Sequence, residues 1–335
     1  MRGLSRRDFL KLSAAAAGAV AAPGILLPRA AEAALPKCMW GAFPDPSPGC
    51  ETSSGGCGPE DLMPAVYSFE SLIGRTLKMT RHYPNWDYPI PNPVIKESTR
   101  TGHIPLIAWR AQKVDNTWIK WADIASGVHD AEINAKAAAI HNWNRRAYFV
   151  FHHEPENAFK RGIETSAADF QNAYRHIRGI FDSYGITKLT YICTLQRVTY
   201  DGSSGGPSAW IPLDVVNLIG VDGYNRGACA SDHLWKSFPS LFTTARNHAR
   251  QIGKNLVIQE WGAVEPSACG GTSTQTKGDW IREAGTTIKS WPEVKAVMYT
   301  HSLAEFKGVP VDFRITSSTD ALNAYKEVGA DLWFN

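Results

Sequence analysis

Eight short apolar runs recur along the chain, and helical patterns separate most of them. This alternation predicts βαβ units and a parallel sheet, because parallel strands are joined by long crossovers that helices fill. Eight such units close into a (β/α)₈ TIM barrel, and we predict this α/β fold as a single domain. The alternative is an open doubly wound sheet, although no Gly-x-Gly-x-x-Gly segment opens a helix after a strand. The predicted strands are Cys38–Phe43, Thr76–Tyr83, Ile104–Trp109, Ala147–His153, Lys188–Leu195, Val215–Val221, Asn255–Gln259 and Ala296–Thr300.

The intervals between these runs carry the apolar periodicity of helices that pack on a sheet. After the second run the helical pattern is weak and covers only Asn92–Thr101. The other predicted helices are Pro59–Ile73, Ala131–Asn144, Ala167–Tyr184, Leu234–Ile252, Asp279–Ser290 and Thr319–Val328.

Two of the apolar runs are followed directly by a glutamate. Glu154 follows the fourth run, and Glu260 follows the seventh. A carboxylate at the end of a buried strand is costly unless the site uses it. Because the C-terminal strand ends of a barrel meet at one rim, we expect both carboxylates to face one cleft. Such a pair can cleave a glycosidic bond, with carboxyl groups about 5–5.5 Å apart if configuration is retained. Glu156 is a rival for the acid role.

Other polar and aromatic side chains follow the same strand ends, so we expect them to bind substrate. In nearly every run, apolar residues give way to polar ones at the same edge of the predicted barrel. His152 is left out because neighbouring strand residues point to opposite faces. The predicted substrate-binding residues are Arg81, His82, Trp86, Trp109, His153, Gln196, Asp222, Tyr224, Trp261 and His301.

Residues 1–33 predict an export signal that is not part of the fold. Ser5-Arg6-Arg7-Asp8-Phe9-Leu10-Lys11 is a twin-arginine pattern, and Ala31-Glu32-Ala33 is a small-x-small cleavage site. A membrane-anchoring helix is the alternative, but Gly18 and Pro23-Gly24 interrupt the apolar run between them. We predict twin-arginine export to a secreted, periplasmic or cell-surface location, without stable membrane association after cleavage. Residues 34–335 are then the catalytic domain.

The net charge of the whole chain, +3, is misleading. Residues 1–33 hold five basic and two acidic side chains, so the remainder is neutral. A neutral chain lacks the electrostatic footprint of a nucleic-acid-binding protein, and we predict no nucleic-acid partner. Twelve tryptophans, several in predicted loops, suit stacking on sugar rings, although core packing also uses tryptophan. We predict a monomer that binds a polysaccharide or oligosaccharide.

Four cysteines predict two disulfides, because an exported chain can form them. Cys50 and Cys57 flank a short Gly/Ser-rich loop. Cys229 and Cys269 lie in loops after the predicted sixth and seventh strands. We therefore predict the bridges Cys50–Cys57 and Cys229–Cys269.

The remaining cysteines, Cys38 and Cys193, stand in apolar runs and are predicted to be buried free thiols. No Cys/His spacing indicates zinc. A metal-dependent deacetylase or phosphodiesterase is an alternative class, but it would need His-x-His or paired Asp after the first strands. The sequence shows neither pattern there, so we predict no metal and no cofactor.

The strand-end residues resemble the clan A glycoside hydrolases, retaining enzymes with an acid/base after the fourth strand and a nucleophile after the seventh. Most of that clan place Asn before the acid/base. The pair His153-Glu154 instead resembles glycoside hydrolase family 26, the β-mannanase family. Gly220-Val221-Asp222-Gly223-Tyr224, at the end of the sixth strand, is similar to that family as well. The resemblance covers roughly Ala147 to His301.

The resemblance implies a secreted, retaining, endo-β-mannanase-like glycosidase that acts by double displacement. Glu260 would be the nucleophile, Glu154 the acid/base, and Tyr224 a hydrogen-bond donor to the nucleophile. Family 26 usually follows the acid/base with Met-Asn, Gly and a tryptophan-rich stretch, whereas this chain has Pro155-Glu156-Asn157-Ala158-Phe159. The expected substrate is therefore β-mannan or a related β-glycan. The alternative is a non-catalytic carbohydrate-binding protein on a barrel scaffold, which loss of one carboxylate would mark, and neither is lost.

Overall fold

The computed structural model describes residues 37–45 and 59–334. Residues 36–335 belong to one compact unit. The predicted signal and the predicted Cys50–Cys57 bridge lie outside the described residues. In the part that the structure describes, no helix is both long and apolar enough to cross a bilayer.

Eight parallel strands pair in sequence order and close into a barrel, so the predicted (β/α)₈ fold is confirmed. Closure comes from the first and last strands, where Met39 pairs with Ala296 and Pro44 with His301. The strands are β1 (Met39–Pro44), β2 (Met79–His82), β3 (Ile104–Trp109), β4 (Ala147–Phe151), β5 (Leu189–Gln196), β6 (Leu218–Asn225), β7 (Asn255–Ala263) and β8 (Val294–His301).

Helices cover the outside of this barrel, and polar side chains fix several of their starts. The side chains of Asn92, Ser166 and Thr276 each accept a backbone N–H from the first turn of a helix. The described helices are α1 (Pro59–Ile73), α2 (Pro93–Arg100), α3 (Trp121–Ala125), α4 (Asp130–Trp143), α5 (Pro155–Lys160), α6 (Ala167–Ser183), α7 (Arg197–Tyr200), α8 (Phe238–Gln251), α9 (Lys277–Ser290) and α10 (Thr319–Ala330).

Alternation along the strands divides the apolar side chains into two groups. Tyr148 and Val150 of β4 belong to the cluster that fills the barrel interior. Phe149 and Phe151 belong to the larger cluster between the strands and the helices. A strand residue therefore reaches the barrel mouth only if it follows the inner series or if the strand is locally irregular.

The observed strand boundaries differ from the predicted ones where polar residues continue to pair with a neighbouring strand. The sixth strand was predicted to end at Val221, but β6 continues to Asn225 because its residues still pair with β7. The short helices α3, α5 and α7 were not predicted, since each has too few residues for a visible period. Strands β9 (Leu303–Phe306) and β10 (Val309–Asp312) form an unpredicted antiparallel hairpin after the barrel.

Cys229 and Cys269 form a disulfide, as predicted, and tie the loop after β6 to the loop after β7. Cys38 and Cys193 are buried free thiols, also as predicted. The bridge joins two loops at the same end of the barrel, the end at which both predicted catalytic strands finish.

The contact between Gly220 and Thr194 tests the packing of the barrel interior. A Cβ on Gly220 would overlap Thr194 Oγ1 and lie 3.0 Å from Thr194 Cβ. Thr194 is buried and β-branched, so it cannot swing away. We expect Gly220→Ala to lower the free energy of unfolding by about 1–3 kcal/mol, measured by urea denaturation.

Gly179 of α6 provides the matched control, because a Cβ there meets no atom within 4 Å. Gly179→Ala should raise the free energy of unfolding by roughly 0.5–1 kcal/mol, since alanine restricts the unfolded chain and suits a helix. Equal stability of the Gly220→Ala protein and the parent chain would contradict the close packing of β5 and β6.

Candidate active site

A cavity of about 550 Å³ opens at the C-terminal end of the barrel strands. Its wall combines residues from β1, β2, β6, β7 and β8 with loops, among them the one after β4, and the β9–β10 hairpin. The six lining residues at its centre are Arg81, Tyr83, His153, Glu154, Tyr224 and Glu260. Both predicted catalytic glutamates therefore line one cleft.

Two left-handed residues after β4 bring His153 and Glu154 into this cleft. His152 has φ 46° and Glu154 has φ 50°, values that are uncommon for residues other than glycine. Neighbouring β-strands hold the segment, because His152 N–H donates to the Trp109 carbonyl and Glu154 N–H to the Thr194 carbonyl. The irregular backbone breaks the alternation of β4, so the His153 ring reaches the site that regular alternation would give to His152.

A register shift brings Glu260 into the same cleft. Val221 pairs with Ile258, but the next residue, Asp222, pairs with Glu260, so β7 contains one extra residue at Gln259. The pairing of β7 with β8 is irregular at the same place. Such bulges re-aim a side chain at the rim of a barrel. Here the bulge aims the Glu260 carboxylate inward.

Four side chains contact the Glu260 carboxylate, and His153 is the most distant of them. Arg81 Nη1 lies 2.7 Å from Oε1, and the Tyr83 hydroxyl donates to the same oxygen at 2.8 Å. The Tyr224 hydroxyl donates to Oε2 at 2.6 Å. Burial alone would raise the pKa of Glu260, but the Arg81 charge and hydrogen bonds from His153 and Tyr224 hold it well below its usual range. Glu260 is therefore ionised.

Glu154 is in the opposite protonation state. Burial raises its pKa well above the usual range, and although the His153 charge opposes this, the negative charges of Asp222 and Glu260 add to it. Asn157 Nδ2 and Gln196 Nε2 donate to Glu154 Oε2 at 2.6 Å and 3.1 Å. Because both amides point at Oε2, we expect the proton on Oε1.

His153 forms an ion pair beneath the two glutamates. Its Nε2 lies 2.7 Å from Asp222 Oδ2 and 3.3 Å from Glu260 Oε1. Burial lowers the pKa of His153, but the Asp222 charge and the hydrogen bonds to Asp222 and Glu260 together raise it to about 10. The imidazole is therefore positive at neutral pH, and it offers no lone pair to accept a proton from substrate.

The two glutamates stand close enough to act on one bond. His153, Glu154, Asp222 and Glu260 each contribute one donor atom to a group in which all four atoms lie within 4.8 Å of one another. Four such donors could hold a metal ion. However, the positive charges of Arg81 and His153 already balance those of Asp222 and Glu260, so the donor set lacks the negative charge that a divalent cation requires.

Several predicted site residues lie at this centre. Arg81 and His153 contact Glu260, Gln196 contacts Glu154, and Tyr224 contacts Glu260. His82 lines the cavity wall but is almost fully buried, with Nε2 2.9 Å from Thr80 Oγ1.

The structure corrects the prediction for Trp86, Trp109 and Trp261, which are fully buried and do not line the cavity. Trp109 and Trp261 point outward from the barrel into the layer below the helices, and Trp86 stacks on Trp109 with ring centroids 4.2 Å apart. Alternation explains the error for Trp109, which follows the outward series of β3, whereas the extra residue at Gln259 turns Trp261 outward.

His301 and Asp222 need correction as well. His301 lies outside the cavity lining, where Nδ1 accepts the Ile315 N–H at 3.0 Å and the ring packs on Phe69. Asp222 is buried beneath His153 and does not line the cavity. It therefore acts through His153 instead of touching substrate.

Sequence reasoning missed Tyr83 and Asn157. Tyr83 stands two residues after Arg81, so alternation places both side chains on the inner face, a signal that was available. Asn157 reaches Glu154 because α5 starts directly after Glu154 and brings the third following residue back over it. Glu156, the rival acid, is fully buried and bound by Thr199 Oγ1 at 2.8 Å, and it does not line the cavity.

Two comparisons of the sequence with known proteins give matches. The family model of the twin-arginine translocation pathway signal sequence matches residues 3–23, so the prediction of twin-arginine export is confirmed. The chain is 29% identical to Endoglucanase H of Acetivibrio thermocellus over 281 residues. This matched region covers 79% of this chain. The match spans only 29% of the length of that relative.

Solved structures share the fold at low sequence identity. The catalytic domain of an endo-β-1,4-mannanase of glycoside hydrolase family 26 from a Bacillus species has a TM-score of 0.56 at 14% identity, over 89% of this chain and 87% of that chain. A modular family 26 endo-β-1,4-mannanase from Cellulomonas fimi has a TM-score of 0.54 at 15% identity, over 89% of this chain and 71% of that chain. A β-mannanase of that family from Bacteroides ovatus has a TM-score of 0.52 at 10% identity, over 89% of this chain and 90% of that chain. The resemblance to glycoside hydrolase family 26 is thus confirmed in the fold, which this chain shares with the β-mannanases of that family.

Proposed function

We propose that this exported chain is a retaining glycoside hydrolase that cleaves a β-linked polysaccharide, β-mannan or a related β-glycan, by double displacement. The observation that carries the proposal is the Glu154/Glu260 pair. The two carboxylates face one cavity with oxygens within 4.8 Å, and their environments push their pKa values in opposite directions. A protonated and an ionised carboxyl group at this separation are the requirement of the retaining mechanism.

In the first step, Glu260 attacks the anomeric carbon and Glu154 protonates the departing oxygen. Arg81, Tyr83 and Tyr224 hold the Glu260 carboxylate in place and keep it ionised. The bond that forms joins a Glu260 oxygen to the sugar, and the bond that breaks is the glycosidic bond. The leaving group departs with the proton of Glu154.

In the second step, Glu154 removes a proton from water, and the water oxygen displaces Glu260 from the sugar. Asn157 and Gln196 stabilise the Glu154 carboxylate in its ionised form by donating to it. Two inversions at one carbon leave the product with the configuration of the substrate. The names of the similar proteins, endo-β-1,4-mannanases and an endoglucanase, support a polysaccharide substrate.

A metal-dependent hydrolase is the second candidate, because four donor atoms cluster within 4.8 Å. The balance of two cations and two anions in that cluster argues against it. We expect full activity on a β-glycan after incubation with EDTA and desalting, measured by release of reducing sugar. A loss of activity that Zn²⁺ or Mn²⁺ restores would favour the metal-dependent class.

The roles of the two glutamates can be separated with an aryl glycoside that has a good leaving group. Glu260→Ala should abolish turnover, because no covalent intermediate can form. Glu154→Ala should retain the first step, which needs little protonation here, and then stall, giving a burst followed by slow turnover. Added azide needs no base, so it should rescue Glu154→Ala and yield a glycosyl azide of retained configuration, identified by NMR.

Glu305→Ala is the control, since Glu305 is an exposed carboxylate on the cavity wall outside the catalytic pair. Azide should not accelerate that variant. A glycosyl azide of inverted configuration from Glu154→Ala would exchange the two roles and refute the assignment.

Tyr224 tests the cause of the ionisation of Glu260. Tyr224→Phe removes a hydrogen bond to the charged carboxylate, which should lower kcat/KM roughly tenfold to a hundredfold. The same loss raises the pKa of Glu260. Because Glu260 acts in its ionised form, present above its pKa, the acid limb of the pH–rate profile should move to higher pH.

Tyr191→Phe is the matched control. Tyr191 is a buried barrel tyrosine whose hydroxyl has no hydrogen-bond partner among the described residues. Its pH–rate profile should coincide with that of the parent enzyme. An acid limb that stays in place in Tyr224→Phe would show that Tyr224 does not set the protonation of Glu260.

A further inference from the structure

Three arginines line the cavity outside the catalytic cluster. Arg110 follows β3, Arg161 follows α5, and Arg226 follows β6. None of them has an ion-pair partner among the described residues. Within the described part of the chain, Glu305 is the one carboxylate that lines this cavity besides Glu154 and Glu260.

Several arginines elsewhere on the described surface have a carboxylate partner. Arg175 pairs with Asp214, Arg246 with Glu293, and Arg314 with Asp312. Guanidinium groups of this chain thus commonly have a carboxylate beside them. Three arginines without such a partner among the described residues line this one cavity, which points to a negative partner that is not part of the chain.

The cavity wall consequently has an excess of positive charge. The catalytic cluster is balanced internally, since Arg81 and His153 offset Glu260 and Asp222. Three arginines against Glu305 therefore leave the wall positive, on a chain that is neutral beyond residue 33. Clefts with one sign of charge concentrate ligands of the opposite sign.

Arg110 and Arg161 lie on the side of the cavity that carries Glu154. Burial lowers the pKa of Arg110, and the nearby Arg161 charge lowers it further despite the opposing effect of Tyr83. Two neighbouring cations repel each other unless an anion lies between them. Arg110 Nη2 donates to Gln112 Oε1 at 3.1 Å, which orients the guanidinium and leaves its other N–H groups for a ligand.

We propose that this cavity recognises an acidic β-glycan, in which a negative group on a sugar next to the scissile bond pairs with Arg110 and Arg161. The inference rests on the proposed function and names its substrate class. A planar guanidinium donates two parallel hydrogen bonds to a uronate carboxylate or a sulfate ester, a geometry that neutral sugar hydroxyls do not use. Arg226, stacked on the Phe306 ring at 4.2 Å, adds positive charge on the opposite side.

The test compares probes that differ only in charge. The probes are β-1,4-linked oligomannuronate, its carboxyl-reduced form (the neutral manno-oligosaccharide) and the 6-O-sulfated manno-oligosaccharide. Binding is measured by calorimetry on the full chain with Glu154→Gln, which cannot protonate the leaving group and keeps the Arg81–Glu260 ion pair, so that no probe is consumed. We expect at least one acidic probe to bind roughly tenfold to a hundredfold more tightly than the neutral one. Whether carboxylate or sulfate gives the larger effect identifies the source of the charge.

Added Arg110→Gln and Arg161→Gln substitutions should bring the ratio of acidic to neutral affinity close to one. The control carries Arg100→Gln and Arg250→Gln, which remove the same charge from side chains that are 72% and 62% exposed and do not line the cavity. The control should keep the ratio. A ratio that falls equally in both double variants would overturn the assignment of these two residues.

Hydrolysis by the unsubstituted chain separates this inference from the proposed function. Cleavage of the neutral probe together with equal or tighter binding of that probe would refute the acidic substrate and keep the glycosidase. Selective binding of an acidic probe without cleavage of any probe would refute the glycosidase and keep the acidic ligand. Absence of both binding and cleavage would overturn both.

Discussion

The ion pair of Arg81 with Glu260 is the interaction on which the barrel mouth depends. Arg81 is only 1% exposed, and its Nη1 also donates to the Gln259 carbonyl at 2.9 Å. A buried guanidinium without a counter-charge would cost the fold about 3–5 kcal/mol. Glu260 supplies that counter-charge, so its ionised state is a requirement of the folded barrel as well as of a nucleophile. The bulge at Gln259 is what allows β7 to meet this requirement.

The same charge balance distinguishes the two glutamates. Asp222 and His153 form a second ion pair beside the first, so two cations and two anions already cancel. The carboxylate of Glu154 is then the one acidic group of the cluster without a cation of its own. In a buried site such a group keeps its proton. The charges around the two glutamates therefore support the proposed roles of acid and nucleophile independently of the resemblance to a family.

The sequence predicts the regular parts of this molecule well, because buried positions in strands and helices recur at a fixed spacing of apolar residues. Eight apolar runs were enough for the barrel, and Glu154 and Glu260 were found because they follow those runs. Trp109 and Trp261 stand near strand ends but pack under helices. Alternation accounts for Trp109, whereas Trp261 turns outward because of the extra residue in β7. A strand-end position alone therefore does not place a side chain in the site.

Irregular backbone is the part that the sequence does not reveal. The left-handed conformations of His152 and Glu154, and the extra residue in β7, depend on contacts with β3, β5 and β6 that no local pattern encodes. These irregularities lie where the two glutamates enter the cleft. Regular strands would turn His153 and Glu260 away from the interior. The site therefore forms because the alternation of side chains is interrupted at the C-terminal ends of β4 and β7.

The part of this cavity proposed to bind substrate differs in net charge from the part proposed to carry out the reaction. The catalytic cluster is neutral as a whole, whereas the wall that carries Arg110, Arg161 and Arg226 is positive. Positive charge near Glu154 favours its ionised form, which is the wrong form for the first step. An anionic sugar docked against Arg110 and Arg161 cancels that charge and favours the protonated form of Glu154. Binding of an acidic substrate would then raise the pKa of Glu154 and so favour the protonated form that the first step needs. A neutral sugar would leave the positive charge of the arginines unbalanced, and this charge favours the ionised form of Glu154.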